Sequence, residues 1–164
     1  GSTYLPVRAV AGLAGFEVNW DQATRTVELG ETKGVDLIDT YEHYYHSNRA
    51  GQVRSEEKKT ENISGISCSH WLYLDAWNAG EMQVSFNLLG KHETLTFSYY
   101  CDKDVTLKVL GDNGYVLGEY TVTGSASAKT VTIPLLSTNE LTFYSDMPPA
   151  SNLRIFNAYL DAEG

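Results

Sequence analysis

The fold is decided by residues 81–114, which read EMQVSFNLLGKHETLTFSYYCDKDVTLKVLGDNG. Three segments of this stretch alternate apolar and polar residues with a period of two, which is typical of half-buried antiparallel strands. The turns at residues 90–92 and 112–114 contain residues that tolerate positive φ. We therefore predict three consecutive strands, with these apolar positions on their buried faces: Met82, Val84, Phe86, Leu88, Leu95, Phe97, Tyr99, Val105, Leu107 and Val109.

The same pattern recurs on both sides of this stretch. About eight to ten strands at intervals of about 8 to 12 residues are typical of a sandwich. The predicted fold is mostly β, a jelly-roll-like antiparallel β-sandwich with a small N-terminal helix plus β-hairpin unit. The other predicted strands cover residues 35–40, 52–54, 68–74, 115–123, 130–136, 141–145 and 153–160, with a further short strand near Tyr44.

The first 30 residues form a separate unit in this interpretation. Pro6 suits the first turn of a helix that Gly15 ends, and residues 16–20 and 27–29 alternate like the two strands of a hairpin around a turn at residues 21–24. So short a unit cannot bury a stable core alone. We therefore divide the chain into residues 1–30, a linker at residues 31–34, and a sandwich over residues 35–164.

Composition and charge exclude some function classes. The chain has 164 residues, 12% of them aromatic, and a formal net charge of −9. Because it has no dense Lys/Arg cluster, phosphate neutralisation and nucleic-acid binding are not expected. No run approaches the roughly 18 apolar residues of a membrane span. We expect a secreted or cell wall-associated protein whose signal sequence lies upstream of Gly1.

The two cysteines, Cys68 and Cys101, have no metal-binding spacing. An exported protein would allow a disulfide between neighbouring strands, whereas two buried free thiols fit the sequence equally well. The sequence leaves both alternatives open.

The N-terminal unit resembles a known family. Residues 4–10 read YLPVRAV, residues 15–21 read GFEVNWD and residues 24–29 read TRTVEL. Residues 3–29 resemble the C-terminal half of the copper amine oxidase N-terminal-like, or stalk, domain of exported Gram-positive bacterial proteins. The upstream hairpin of that family is missing, which implies a truncated unit or one that another chain completes. Oxidase activity is not implied, because the chain has no Asn-Tyr dipeptide from which the oxidase cofactor arises.

Residues 34–164 resemble a second family, the NPCBM or NEW2 type of carbohydrate-binding module. The matching stretches are FNL at residues 86–88, LGKHETLTF at 89–97, GDNG at 111–114, NEL at 139–141 and NAYL at 157–160. The resemblance implies a jelly-roll-like sandwich that binds sugar.

Sugars are bound by aromatic ring faces together with carboxylates, amides and arginines. Two stretches offer this chemistry, residues 41–46 and residues 71–78. Trp77 is the best candidate for an exposed ring because its surroundings read as a loop. The alternative is that these rings fill the core or cover its edges. The candidate ligand-binding residues are Trp77, Trp71, Tyr73, Asp75, Asn78, Tyr44 and Tyr45.

Metal and catalytic sites are weaker hypotheses. His43 and His46 point to opposite faces of a strand, and Cys68 and His70 are better explained as a packed pair. Acids at residues 102–104 and 112–114 offer oxygen ligands for a structural calcium, but turn chemistry explains them without an ion. Glu56, Glu57, Glu61 and Glu163 look like solvated surface rather than paired catalytic acids.

The leading hypothesis is a non-catalytic extracellular module that binds cell-wall or host glycans and requires no cofactor. The alternative is a structural, adhesion or oligomerisation module that acts through protein contacts alone, with another chain completing the N-terminal unit.

Overall fold

The computed structural model describes residues 16–21, 26–31, 34–44 and 51–162. Within these residues twelve strands form three antiparallel sheets, and the helical structure is limited to α1 (Leu37–Thr40) and a 3-10 turn at Asp112–Gly114. None of the described helical segments is long and apolar enough to cross a membrane. The strands are β1 (Phe16–Asp21), β2 (Thr26–Glu31), β3 (Val35–Asp36), β4 (Gly51–Ile63), β5 (Ile66–Ala76), β6 (Gly80–Asn87), β7 (Thr94–Cys101), β8 (Val105–Leu110), β9 (Val116–Val122), β10 (Lys129–Pro134), β11 (Glu140–Met147) and β12 (Ser151–Leu160).

The predicted N-terminal hairpin is confirmed. β1 pairs with β2 in a two-stranded antiparallel sheet, in a register from Phe16 opposite Glu31 to Asp21 opposite Thr26. The predicted helix before it and most of the predicted turn lie outside the described residues.

The remaining strands build the predicted antiparallel sandwich. One sheet has the order β10-β7-β12-β5-β4, with β3 added beside the end of β12, and the other has the order β6-β11-β8-β9. From β5 onward the chain changes sheet at every connection except the β8–β9 hairpin. Connections that alternate between two sheets are typical of a jelly roll.

The core between the sheets matches the sequence pattern. The apolar residues of β6, β7 and β8 that were predicted to face inward are all buried. Phe97 and Phe86 both pack edge-on against Phe143 of β11, with ring centroids 5.4 and 6.3 Å apart. Such edge-to-face pairs add to the stability that apolar burial already provides.

A second buried cluster lies away from this core. It contains Trp71, Tyr73 and Phe156 of the six-stranded sheet, together with Ile63 and Cys68. The register between β4 and β5 shifts at an irregularity between Glu57 and Glu61. Beyond this point the end of the β4–β5 hairpin contacts the β9–β10 connection, where the Ala128 N–H donates to the Ser64 carbonyl at 3.4 Å. An irregularity of this kind bends a strand pair, and the part of the hairpin beyond it contributes Ile63 and Cys68 to the cluster.

Two secondary-structure predictions are wrong. The segment 35–40 is not one strand: β3 ends after two residues and α1 follows, because the Asp36 carboxylate accepts a hydrogen bond from the Asp39 N–H at 3.0 Å and caps the helical turn. Tyr44 lies in irregular backbone rather than a short strand. The strand predicted at residues 52–54 is present, as part of the longer β4.

Candidate functional site

An exposed tryptophan lies at one end of the sandwich. Trp77 is 58% exposed in the loop that joins β5 to β6. The β11–β12 loop runs beside it, because Ser151 pairs with Ala76 and Met147 pairs with Gly80. Two loops from neighbouring strands therefore meet beside this ring.

The β7–β8 loop is attached to the same end by three hydrogen bonds. The Asn152 N–H donates to the Asp102 carboxylate at 3.0 Å, Lys103 Nζ donates to the Pro149 carbonyl at 3.0 Å, and the Gly124 N–H donates to the Asp104 carboxylate at 2.8 Å. We call the region of residues 75–81, 102–104 and 146–152 the Trp77 end. Because these loops are held together, a ligand there would meet a largely preformed surface.

A row of polar side chains crosses three strands at the Trp77 end. Asp75 of β5 stands opposite Gln52 of β4 and opposite Asn152 of β12, and all three residues are half-buried. The side-chain oxygen of Asn152 is buried without a hydrogen-bond partner. Amide and carboxylate groups in one row supply both donors and acceptors for hydroxyl groups.

The next row along the same strands joins an aromatic ring to two arginines. Tyr73 stands opposite Arg54 and Arg154, whose guanidinium carbons lie 4.5 and 4.9 Å from its ring centroid. Arg54 also forms an ion pair with Glu56, and Arg154 Nη1 lies 3.5 Å from Glu61 Oε1. The arginine charges are thus balanced by acids of β4.

The structure brings together only some of the candidate residues. Trp77, Asn78 and Asp75 lie at the Trp77 end, and Trp77 and Asn78 are exposed. Trp71 is fully buried and Tyr73 is 7% exposed beneath the arginines, so neither offers a free ring face. For these two rings the alternative reading of the sequence, that they fill the interior rather than bind sugar, describes their position.

Tyr44 lies at the opposite end of the sandwich and is 53% exposed. Its hydroxyl donates to Glu140 at 2.6 Å, and Glu140 stands opposite Asn87, at the far end of β6 from the Trp77 loop. Partial burial and this hydrogen bond to Glu140 raise the pKa of Tyr44 to about 12. Tyr45 lies outside the described residues.

The acids considered for calcium already have partners. Asp102 and Asp104 accept the loop hydrogen bonds described above, and Asp112 accepts from the N–H of Asn139, the N–H of Glu140 and the Asn139 amide. Those hydrogen bonds, led by the backbone N–H groups of Asn139 and Glu140, lower the pKa of Asp112. Turn chemistry accounts for these positions.

One group of metal-ligating side chains occurs among the described residues. Asp36, Asp39 and His70 place ligand atoms within 4.8 Å of one another, and His70 Nδ1 lies 2.6 Å from Asp39 Oδ1. Asp36 caps α1, so one of its oxygens is already used.

Burial raises the pKa of the Cys68 thiol, which does not favour a reactive thiolate beside His70. His46 lies outside the described residues.

Another exposed surface lies at the opposite end of the sandwich. Tyr115 and Leu136, which are 62% and 64% exposed, line a pocket of about 150 Å³ together with Leu117. Leu136 and the nearby exposed Leu89 both have positive φ, of 51° and 58°. Positive φ is uncommon for leucine, and the exposure of both side chains makes this an apolar surface.

Sequence reasoning did not identify Gln52, Arg54, Asn152 and Arg154 as part of the site. Two of them lie in β4 and two in β12, and the partner opposite each residue depends on strand order and register. A row such as Arg54–Tyr73–Arg154 joins residues that are far apart in the chain, so the local pattern does not reveal it.

Solved structures with a similar fold include carbohydrate-binding modules. The tandem CBM51 modules of Sp3GH98, a family 98 glycoside hydrolase from Streptococcus pneumoniae, match with a TM-score of 0.55 and 14% identity over 78% of this chain and 47% of that one. The CBM51 of Clostridium perfringens GH95, solved in complex with methyl-galactose, matches with a TM-score of 0.55 and 16% identity over 73% of this chain and 94% of that one.

A third similar structure contains the M60 catalytic domain with the CBM51-1 and CBM51-2 domains of Clostridium perfringens ZmpB. The TM-score is 0.58 and the identity 15%, over 88% of this chain and 17% of that one. No protein-family model matches the chain, and no curated protein matches it. The chain therefore has a β-sandwich fold that is similar to those of carbohydrate-binding modules.

Proposed function

We propose that the chain is a non-catalytic carbohydrate-binding module of an extracellular or cell-surface protein, and that it binds glycan at the Trp77 end. The observation that carries the proposal is the exposure of Trp77, at 58%, on a loop whose flanking strands pair with those of the β11–β12 loop. That neighbouring loop is in turn hydrogen-bonded to the β7–β8 loop. Large aromatic rings are normally buried, so a tryptophan this exposed on a polar loop requires an explanation. A sugar ring stacked on its face would provide one.

The surrounding groups suit the hydroxyl groups of a sugar. Asp75, Gln52 and Asn152 form the half-buried polar row beside the loop, and Asn78 is exposed within it. An aromatic platform with a few fixed polar groups is the usual composition of a small-molecule site. The similarity in fold to modules such as the one solved with methyl-galactose supports the same class of ligand.

The finer classification belongs to the proposal as well. We assign residues 35–164 to a module of the NPCBM or NEW2 type, residues 1–30 to a partial stalk-type unit, and residues 31–34 to the linker between them. The polar row and its arginines supply binding groups but no activated nucleophile or opposed pair of acids, which supports a binding role rather than catalysis.

A glycan array followed by titration calorimetry tests this proposal. We expect binding to at least one glycan class, and we expect Trp77→Ala to weaken it by about tenfold or more, since a stacked ring contributes on the order of 1–2 kcal/mol. Tyr115→Ala is the matched control, because it removes an equally exposed ring at the opposite end. Binding that Trp77→Ala leaves unchanged would contradict the assigned site, and the absence of binding to any glycan would contradict the function.

The second candidate function is a structural or oligomerisation module, and the apolar surface at the opposite end favours it. Leu89, Tyr115, Val116 and Leu136 are all exposed there. Exposed apolar patches commonly mark protein contacts. Under this alternative the protein sediments as a dimer or larger assembly, Leu136→Asp returns it to a monomer, and no glycan binds.

A further inference from the structure

We propose, on the basis of the proposed glycan-binding function, that the Trp77 end selects glycans with free amino groups over acetylated or acidic ones. The relevant ligand class is an oligomer of glucosamine-type sugars, whose amines are cations when protonated. The inference rests on the charges around Trp77 and on which of them are already paired.

Acids outnumber bases at the Trp77 end. Its carboxylates belong to Asp75, Glu81, Asp102, Asp104 and Asp146, whereas Lys103 supplies the lone ammonium group among the described residues of this region. Lys103 Nζ donates to the Pro149 carbonyl, and Asp102 and Asp104 accept backbone N–H groups, but these bonds to neutral groups leave all the charges in place. The negative charges of the region therefore exceed its positive charge. The chain as a whole carries a formal charge of −9, which strengthens the negative field.

Two of these acids stand directly opposite each other. Glu81 of β6 pairs in register with Asp146 of β11, and both residues are exposed. Like charges directly opposite on neighbouring strands are destabilising. Glu81 accepts a hydrogen bond from the Tyr144 hydroxyl at 2.5 Å, but among the described residues Asp146 has no hydrogen-bond or ion-pair partner. A cationic ligand would relieve this repulsion.

Asp146 also lines an open cleft. With Asp104 and the exposed threonines 106, 121 and 123 it surrounds a volume of about 320 Å³. Carboxylate and hydroxyl oxygens lining a cleft of this size accept hydrogen bonds from ammonium and hydroxyl groups, and they repel a sugar carboxylate or sulfate. Since Asp146 pairs with Glu81, which lies at the start of β6 just after the Trp77 loop, the cleft is at the same end of the sandwich as that loop.

The aromatic and basic residues agree with the same ligand class. An exposed tryptophan ring attracts cations to its face, with the strongest effect among the aromatic side chains. Arg54 and Arg154, which would otherwise attract an acidic sugar, are paired with Glu56 and Glu61 and stacked on Tyr73. A protonated amino sugar therefore finds attraction at the ring and at the carboxylates, whereas an acidic sugar finds repulsion.

The test is calorimetry with three probes of equal length: a glucosamine oligomer, its fully N-acetylated counterpart and a uronic acid oligomer. We expect the glucosamine oligomer to bind about tenfold more tightly than the acetylated one, and the uronic acid oligomer not to bind. Asp146→Asn should weaken glucosamine binding by about threefold or more without changing the affinity for the acetylated oligomer. Glu93→Gln is the control, because it removes an exposed charge at the opposite end.

The outcomes separate this inference from the proposed function. If the acetylated or acidic oligomer binds as tightly as the amine, and Trp77→Ala abolishes that binding, the function stands and the charge selection is wrong. If glucosamine binding survives Trp77→Ala but falls in 0.5 M salt, the attraction is non-specific and the inference is wrong. If neither these probes nor any glycan on the array binds, both the function and the inference are wrong.

Discussion

The Nδ1 atom of His92 lies 2.7 Å from Oδ2 of Asp161, which places a mostly buried imidazole beside the last turn of the described chain. A carboxylate only accepts, so Nδ1 carries a proton, and in the neutral imidazole Nε2 accepts from the Tyr41 hydroxyl at 2.6 Å. The other Asp161 oxygen accepts from the N–H groups of Glu93 and Thr94 at 2.7 and 3.3 Å. These contacts join the segment before β4, the β6–β7 loop and the end of β12.

Replacement of His92 should therefore destabilise the sandwich without affecting the Trp77 end. His92→Ala loses the bonds to Tyr41 and Asp161, and we expect the free energy of unfolding to fall by about 2–3 kcal/mol because one partner is charged. Urea unfolding measures the change. Lys91→Ala, at the exposed neighbouring position, is the control and should change stability by less than about 0.5 kcal/mol. Equal stability of the two variants would contradict the structural role of the imidazole.

Acid should remove the contribution of Asp161. Partial burial opposes its charged form, but hydrogen bonds from Glu93, His92 and Thr94 outweigh that effect and lower the pKa of Asp161. A carboxyl group with a lowered pKa in the folded state stabilises the protein fully at pH values above its unfolded-state pKa, which is near 3.9. This stabilisation is lost as the pH falls through the folded-state pKa. The stability difference between the parent protein and Asp161→Asn should thus shrink between pH 6 and pH 3. Urea titrations at both pH values measure it, and a constant difference would contradict the assignment.

The sequence predicts the fold best where one face of a strand is apolar and the other polar. Strands β6, β7 and β8 meet this condition, and their buried residues are those predicted. Residues 35–40 mislead because Val35, Leu37 and Ile38 suggest a strand, whereas the outcome depends on one local hydrogen bond from Asp39 to Asp36. Side-chain capping competes with strand formation over such short segments.

Strand β4 is hard to predict because its outward side chains are charged. Arg54 and Glu56 are half-buried, and the glutamate balances the arginine that packs on Tyr73. In a single sequence such residues look like solvent-exposed loop. Only the partners on β5 and β12 make the pattern that of a strand, and those pairings are not local.

Truncation of Trp71 should destabilise the protein, whereas truncation of Trp77 should leave its stability almost unchanged. Trp71 is fully buried in the second cluster, so we expect Trp71→Ala to lower the free energy of unfolding by about 3–5 kcal/mol. Trp77→Ala should change it by less than about 0.5 kcal/mol, because most of the ring is exposed. Urea unfolding monitored by circular dichroism measures both. If Trp71→Ala does not fold, Trp71→Phe should still fold with a smaller loss of stability. If neither substitution at Trp71 changed the free energy of unfolding, the burial of its ring would be contradicted.

The cysteines should remain reduced and react slowly. Both are free and buried, with Cys101 in the main core and Cys68 in the second cluster, so the disulfide alternative is not the arrangement seen. Burial raises the pKa of both thiols, which keeps them protonated at neutral pH. Iodoacetamide should label neither cysteine in the native protein and both in 6 M guanidinium, as read by intact mass. A mass two daltons lower in non-reducing conditions, indicating a disulfide, would contradict this prediction.

The candidate site was predictable only in part, because its residues come together through register. Trp77, Asn78 and Asp75 are close in the chain, so a local reading finds them together. Tyr44 belongs to another part of the fold, where its hydroxyl is bound to Glu140. Aromatic richness alone does not separate a ring that packs in a cluster, such as Trp71, from one that faces solvent.

The stacking of Arg54 on Tyr73 should be measurable as a coupling free energy. The guanidinium carbon lies 4.5 Å from the ring centroid, within the range of a cation–π contact, and the site is only partly exposed. A double-mutant cycle of Arg54→Met and Tyr73→Leu keeps the apolar volume while it removes the charge and the ring. We expect a coupling of about 0.5–1 kcal/mol by urea unfolding. The same cycle with Lys108→Met in place of Arg54→Met is the control and should give additive effects, since Lys108 lies in the other sheet. Additive effects in the Arg54 cycle would mean that the arginine packs beside the ring without a favourable interaction with its face.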